Sequence, residues 1–211
     1  MGLWIDRLSR AYSRSPLEIS KRAYRELYTI RDRVFSSPLK GMNETKFSKI
    51  FNEKNIKNLY AKISRRPYPA YTQKMSSSKL DFLCPNEINR VFELAEKSLS
   101  LSVDILGSGP VDLDFPIPWH ADFKAKYTWP NKFFRDIDIL NPGYPSDVKV
   151  PWELSRLQWA IPLGQAYSLS NDEKYAFFIK KVIIDWIENN PYAIGVNWAV
   201  AMEPAMRVFS W

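Results

Sequence analysis

From Asp172 to Asn189 the apolar residues Tyr175, Phe178, Ile179, Val182, Ile183 and Trp186 fall three or four apart, the spacing of one broad face of an α-helix. The stretch before it repeats the pattern. Leu154, Leu157, Ile161 and, less regularly, Leu163 predict a helix from about Trp152 to Tyr167, with Pro151 in its first turn and an irregularity at Pro162. A short polar connector, SLSND, joins the two, and its Ser170 or Asn171 can cap the second arm. Helices joined this tightly lie antiparallel, so residues 152 to 189 are expected to form a hairpin faced by Leu157, Ile161, Phe178, Val182 and Trp186. NPYAIG ends the hairpin, and a third helical pattern starts near Asn197 and runs to Trp211. These elements fit either a bundle or a stack of helix pairs, and periodicity does not choose between them.

The chain has 211 residues, 45% of them hydrophobic, enough apolar content for a sizeable core. Fifteen prolines against seven glycines predict long ordered connections in the middle rather than flexible linkers. One cysteine, Cys84, excludes an internal disulfide, and with one histidine there is no Cys/His metal cluster. Cys84 is expected to be a packed small side chain. The N-terminal sequence has no apolar run of signal-peptide length, and no stretch approaches the ~20 apolar residues of a spanning helix.

The net charge of +7 is concentrated at the front: Lys and Arg exceed Asp and Glu by about 17 to 6 over residues 1 to 74. Nucleic acid, an anionic membrane surface or an acidic polysaccharide would each reward such clustering, and a solvated helix face would also account for it. A nucleic-acid motif is not visible, so no nucleic-acid partner is expected. Ser15, Pro16 and Glu18 signal a helix start, and Ile19, Ala23, Leu27, Ile30 and Val34 follow at helical spacing. Between Phe35 and Lys79 the only expected helix runs from about Glu53 to Ile63. RRPYPAYTQKMSSSK (65 to 79) reads as a linker, so the expected domains are 1–74, a basic helical segment, and 75–211.

Asn86 to Ser100 predicts another helix, capped by Asn86, with Ile88, Val91, Phe92, Ala95 and Leu99 inward. Gly107, Gly109 and Pro110 then mark a turn, and a small strand or two is expected near Val111 to Phe115. No GK[ST] follows Gly-Ser-Gly, which argues against a phosphate loop. Trp119, His120, Asp122, Phe123 and Trp129 form a cluster in which aromatic faces can stack on sugar rings while His and Asp bind hydroxyls.

Four stretches, WHADFKAKYTWP (119 to 130), DVKVPWELSRLQ (147 to 158), DEKYAFFIKKVIIDWIENNP (172 to 191) and GVNWAVAMEPAMRVFSW (195 to 211), together resemble the N-terminal domain of the heparinase II/III family of polysaccharide lyases. The resemblance covers roughly the second half of the chain. It implies an all-α fold of helical hairpins forming part of an incomplete (α/α) toroid, with a β-sandwich domain following in the full-length protein. It also implies cleavage of an acidic, uronic-acid polysaccharide by β-elimination, which calls for no cofactor.

Such elimination takes a proton from the carbon beside a carboxylate, so the carboxylate's charge must be neutralised. In the resemblance the neutralising amide maps to Asn197, while the Tyr and His that move protons lie beyond residue 211. Asn197 can equally cap the last helix. Glu203 and Arg207, four apart, and Glu153 and Arg156, three apart, are ion-pair candidates that either order a helix interface or touch sugar. Pro204 departs from the family pattern and places the last helix start nearer Met202, or a kink beside it. The chain is therefore expected to be the front of a longer lyase. Its rival reading is a non-catalytic carbohydrate-binding or scaffold protein of polysaccharide biosynthesis.

Overall fold

A computed structural model describes residues 15–35, 43–65, 81–141 and 143–211. By internal contacts the chain divides into two units, Met1–Met42 and Asn43–Trp211. The linker expected at 65 to 79, with the boundary at 74/75, lies almost wholly outside the described residues.

In the first unit, α1 (Pro16–Phe35) starts as its sequence predicts. The Ser15 amide donates to Glu18 Oε2 at 3.2 Å and the Glu18 amide to Ser15 Oγ at 3.3 Å, a reciprocal cap.

The second unit is mostly α-helical. It opens with α2 (Glu44–Ile50) and α3 (Ile56–Ser64), capped by the side chains of Asn43 and Asn55. The first of these was not expected; its apolar content is too low to show a period, and only its Asn43 cap and Glu44 announce it. α4 (Glu87–Leu99) follows, then two antiparallel ribbons, β1 (Ser102–Asp104) with β2 (Pro110–Asp112) and β3 (Ala121–Asp122) with β4 (Tyr127–Thr128). The C-terminal third holds α5 (Lys149–Arg156), α6 (Ile161–Ser170), α7 (Glu173–Asn189) and α8 (Met202–Ser210), with 3-10 turns at Phe134–Asp136, Gln158–Ala160 and Val196–Trp198. No described helix is long and apolar enough to cross a membrane.

Small residues let α4 approach α6 closely: Ala95 and Ala166 are both fully buried. Around them Val91, Leu154, Leu163, Tyr175, Val182 and Trp186 close one core, with β1 and β2 packed on it through Val103 and Val111. Trp129, Ile137, Val148, Trp152 and Val196 form a second.

The expected hairpin is present, with no strand in either arm and with Leu157, Val182 and Trp186 buried, but its first arm is two helices. The break falls at Leu157, not Pro162. Leu157 adopts φ +57°, and its amide bonds to the Leu154 carbonyl at 3.3 Å. That left-handed residue is costly for Leu, yet its side chain is buried, and the broken ladder is braced by Trp159 Nε1 donating to the Leu154 carbonyl at 3.1 Å. The Ser98 hydroxyl reaches across from α4 to the Trp159 carbonyl at 2.7 Å. Pro162 sits harmlessly in the first turn of α6. Because the break rotates the following residues, Ile161 turns outward at 44% exposure instead of facing the hairpin.

Three smaller expectations are also corrected. Asn171 ends α6 in the left-handed region and Asp172 caps α7, accepting from the Lys174 amide at 3.0 Å, because Asn171's backbone is already committed to the Tyr167 carbonyl. Asn86 has φ +68° and makes no side-chain cap. Cys84, expected to be packed, is exposed.

Leu163 and Ile161 sit two residues apart on α6, one fully buried and one not. Leu163→Ala is expected to cost ~2–5 kcal/mol and Ile161→Ala about 1 kcal/mol or less, read from urea unfolding midpoints. Equal effects would contradict the rotated arm.

Candidate functional site

The C-terminal end of α7 organises the site. Asp185, on that helix, accepts from the Ile117 amide at 3.1 Å and from Trp119 Nε1 at 2.8 Å. This charged acceptor pins the segment before β3 against α7 and leaves Trp119 almost wholly buried. One helical turn on, Asn190 Nδ2 donates to the Trp186 carbonyl at 2.9 Å. That bond orients the Asn190 amide, so its Oδ1 faces Asn197 and accepts from Asn197 Nδ2 at 2.8 Å. Asn197 Nδ2 donates also to the Trp119 carbonyl at 3.2 Å. The Asn197 amide orientation is thus set by a chain of bonds reaching back to the α7 backbone.

Asn197 is fully buried and lies in the 3-10 turn Val196–Trp198, not at a helix end. The cap reading is corrected accordingly: α8 begins at Met202, preceded by Ala201, as Pro204 suggested. Both hydrogens of the Asn197 amide nitrogen are engaged within the protein. Its Oδ1 is buried with no partner.

His120 follows Trp119 and lies against Gly195. A Cβ on Gly195 would overlap His120 Cε1 and approach Nδ1 to 3.0 Å, and Gly195 has φ +86°, so both packing and backbone require glycine. The Gly195 amide donates to the Lys132 carbonyl at 2.7 Å, fixing this close approach. Burial pushes the His120 pKa below its ordinary value, and the nearby Asn189 backbone opposes that only partly. Neither ring nitrogen has a partner at hydrogen-bonding geometry.

Of the two ion pairs that sequence spacing offers, Glu153–Arg156 forms, but Glu203 pairs across helices instead of with Arg207. Arg156, on α5, donates to Glu203 of α8 at 2.9 Å from Nε and 2.6 Å from Nη2, and to Glu153 from Nη1. Glu203 is therefore the partner of Arg156, not of Arg207, because the α5–α8 packing offers it a bidentate fork that a helical neighbour cannot. The Arg156 pKa is raised, chiefly by the Glu203 bond.

Arg207 is 3% exposed, and its guanidinium carbon stands 4.6 Å from the ring centre of Trp186 and 5.1 Å from that of Trp198. Its Nη1 and Nη2 have no hydrogen-bond partner, nor do the indole nitrogens of Trp186 and Trp198. Burial lowers the Arg207 pKa to about 10, with the charge of Glu203 opposing. An arginine buried without a bidentate partner, among donors similarly unmatched, is a place for an anion or a row of acceptors.

Two other candidates are engaged in holding the fold. The Asp122 carboxylate accepts from the amides of Lys124 (2.9 Å), Ala125 (3.1 Å) and Asp147 (2.9 Å) and from Ser146 Oγ (2.8 Å), tying the β3–β4 turn to the start of α5. Desolvation raises its pKa, but those bonds outweigh it and the net shift is downward. Trp129 is buried between Tyr127 and Tyr144, with ring centres 5.6 and 4.9 Å away. Neither Trp119 nor Trp129 presents a free face for sugar here. Among the described residues no group of three His, Cys, Asp or Glu could hold a metal ion.

Sequence reasoning thus named Trp119, His120, Asn197, Glu153, Arg156, Glu203 and Arg207; hydrogen bonds link Asn197 with Trp119 and Arg156 with Glu153 and Glu203, while His120 packs on Gly195 and Arg207 on Trp186 and Trp198. It missed Asp185, Asn190 and Gly195. Gly195, one of only seven glycines and followed directly by Val-Asn-Trp, carried the one signal that could have been read.

Two outcomes follow from these environments. Because the folded His120 pKa is below 6.5, the unfolded chain takes up that proton first; stability contributed by neutral His120 is present above pH 6.5 and lost as pH falls through the window below it. Melting temperatures from pH 7.5 down to pH 5 are expected to fall less steeply in His120→Gln. Glu203→Ala, which leaves Arg156 with Glu153 alone, is expected to cost roughly 3 kcal/mol in urea unfolding.

The heparinase II/III N-terminus family matches residues 111–211 of the chain. A heparin-sulfate lyase of Bacteroides stercoris is 49% identical over 45 residues, covering 21% of this chain and 7% of that protein. A heparin-sulfate lyase of Bacteroides thetaiotaomicron is 37% identical over 75 residues, 29% of this chain and 11% of that one. The matched stretch thus spans only a small part of either relative. No solved structure matches the chain.

Proposed function

With residues 111–211 belonging to the heparinase II/III N-terminus family, we propose that the chain is the front part of a polysaccharide lyase that eliminates across a uronic-acid residue of an acidic polysaccharide. Residues 75–211 would be the first part of its (α/α) toroid and 1–74 an appendage to it. The base, the leaving-group acid and a β-sandwich would come from further chain.

The observation that carries this reading is the buried guanidinium of Arg207, with both terminal nitrogens unpaired beside two indole N–H groups. Donors gathered without acceptors suit a ligand that brings its own, and a carboxylated or sulfated sugar does so. Near them Asn197 is the candidate for holding the uronate carboxylate. For that its Nδ2 must exchange the Trp119 or Asn190 acceptor for the substrate, an exchange that strengthens as charge develops in the transition state. Glu153, Arg156 and Glu203 hold α5 and α8 in register around Arg207.

The test is the rise in ultraviolet absorbance as an unsaturated uronate forms from heparan sulfate, alginate or hyaluronan. The 211-residue chain alone is expected to give no turnover, and a longer chain carrying it is expected to be active. In that longer chain Asn197→Ala is expected to lower turnover ~10²- to 10³-fold. A purely structural Asn197 would instead cost ~1–3 kcal/mol of stability and leave chemistry nearly intact. That second result, or absence of elimination by the longer chain, would favour the carbohydrate-binding reading.

A further inference from the structure

On the helix α1 the apolar residues Leu17, Ile19, Tyr24, Leu27, Tyr28, Ile30 and Val34 are all exposed. At 100° per residue these positions, with Ala23, fall within about half of the helix circumference, a half that also holds Ser20 and Arg31. Lys21, Arg22, Arg25 and Arg33 share the other half with Glu18, Glu26 and Asp32. Tyr24 and Tyr28 mark one rim, their ring centres 4.4 Å apart and their hydroxyls joined at 2.6 Å, with the Arg31 guanidinium 4.3 Å above Tyr28. The unit containing the helix, Met1–Met42, carries nine Lys and Arg against four Asp and Glu, a net charge of +5.

We propose that α1 is an interfacial anchor that lies in the plane of an anionic lipid surface. Three features select that occupant. An arc of about half the circumference is too wide for a coiled-coil seam with a second copy, which uses a narrow stripe. A polyanion such as nucleic acid or a sulfated glycan would meet the cations but leave the apolar half in water. A bilayer interface takes both: acyl chains receive Ala23, Leu27, Ile30 and Val34, headgroups receive the cations, and Leu17 and the tyrosines sit at headgroup level, toward which Arg31 extends over Tyr28. The helix has 20 residues, but its charged half keeps it on the surface, in line with the absence of a spanning helix among the described residues.

Flotation of the 211-residue chain with vesicles tests this, using phosphatidylcholine alone and phosphatidylcholine mixed with phosphatidylglycerol. The chain is expected to float with the mixed vesicles, at least tenfold more than with neutral ones, and to be released by high salt. Leu27→Asp with Ile30→Asp, two exposed positions, is expected to lower vesicle binding by on the order of 10²-fold or more. Circular dichroism and the melting temperature of the double variant check that the rest of the chain is intact. Lys21→Glu with Arg25→Glu is the second arm and should remove the preference for anionic lipid. The proposal is overturned if neither vesicle binds, if neutral and anionic vesicles bind alike, or if Leu27→Asp with Ile30→Asp binds unchanged. It is equally overturned if heparin captures the chain while vesicles do not.

Discussion

A buried run of amide hydrogen bonds, from the Trp186 carbonyl through Asn190 to Asn197 and on to the Trp119 carbonyl, holds the C-terminal third in one arrangement. Each net bond is worth only about 1 kcal/mol, but leaving any of these groups unmatched in the core costs more than the bond returns. The last turn of α7, the loop before β3 and the Val196–Trp198 turn are therefore fixed together or not at all. Asp185 adds a charged acceptor to the same junction, and Gly195 lets His120 settle against the backbone there. The buried Asn197 amide is thus held by the same contacts that join these three segments.

The charges around α8 follow a related logic. Glu203 and Arg207 lie on one helix, four residues apart, a spacing that stabilises exposed helices by a few tenths of a kcal/mol. Once the helix packs on α5, Arg156 offers Glu203 two parallel donors in a desolvated setting, and the tertiary pair prevails. Arg207 is left with aromatic faces and the field of Glu203. A buried cation without a bonded acceptor weakens the fold, as the lowered pKa of about 10 expresses. Such a group makes physical sense where a ligand completes it.

The two units place their apolar groups in opposite ways. In Asn43–Trp211 the periodic residues of α4, α6 and α7 close on one another, with small residues at the closest approach. In Met1–Met42 an equally periodic helix keeps its apolar half exposed. Periodicity is the same signal in both; what differs is whether the apolar face is buried.

By itself the sequence determined the local structure: the cap and run of α1, the helical spans of α4 and α7, the hairpin reversal after Tyr167, and the family motifs from Trp119 to Arg207. Those depend on neighbours within a few residues, where propensity, capping and spacing act. The αL break at Leu157, the outward turn of Ile161, the pairing of Arg156 with Glu203, and the engagement of Asp122 and Trp129 in the frame were decided only by tertiary structure. The Arg156–Glu203 pair and the bonds of Asp122 to Ser146 and Asp147 join residues far apart in the chain, and Ser98 of α4 holds the break after which Ile161 turns outward. The larger desolvation energy of the buried contact outweighs tenths of a kcal/mol of helix preference, and no window of sequence contains both partners.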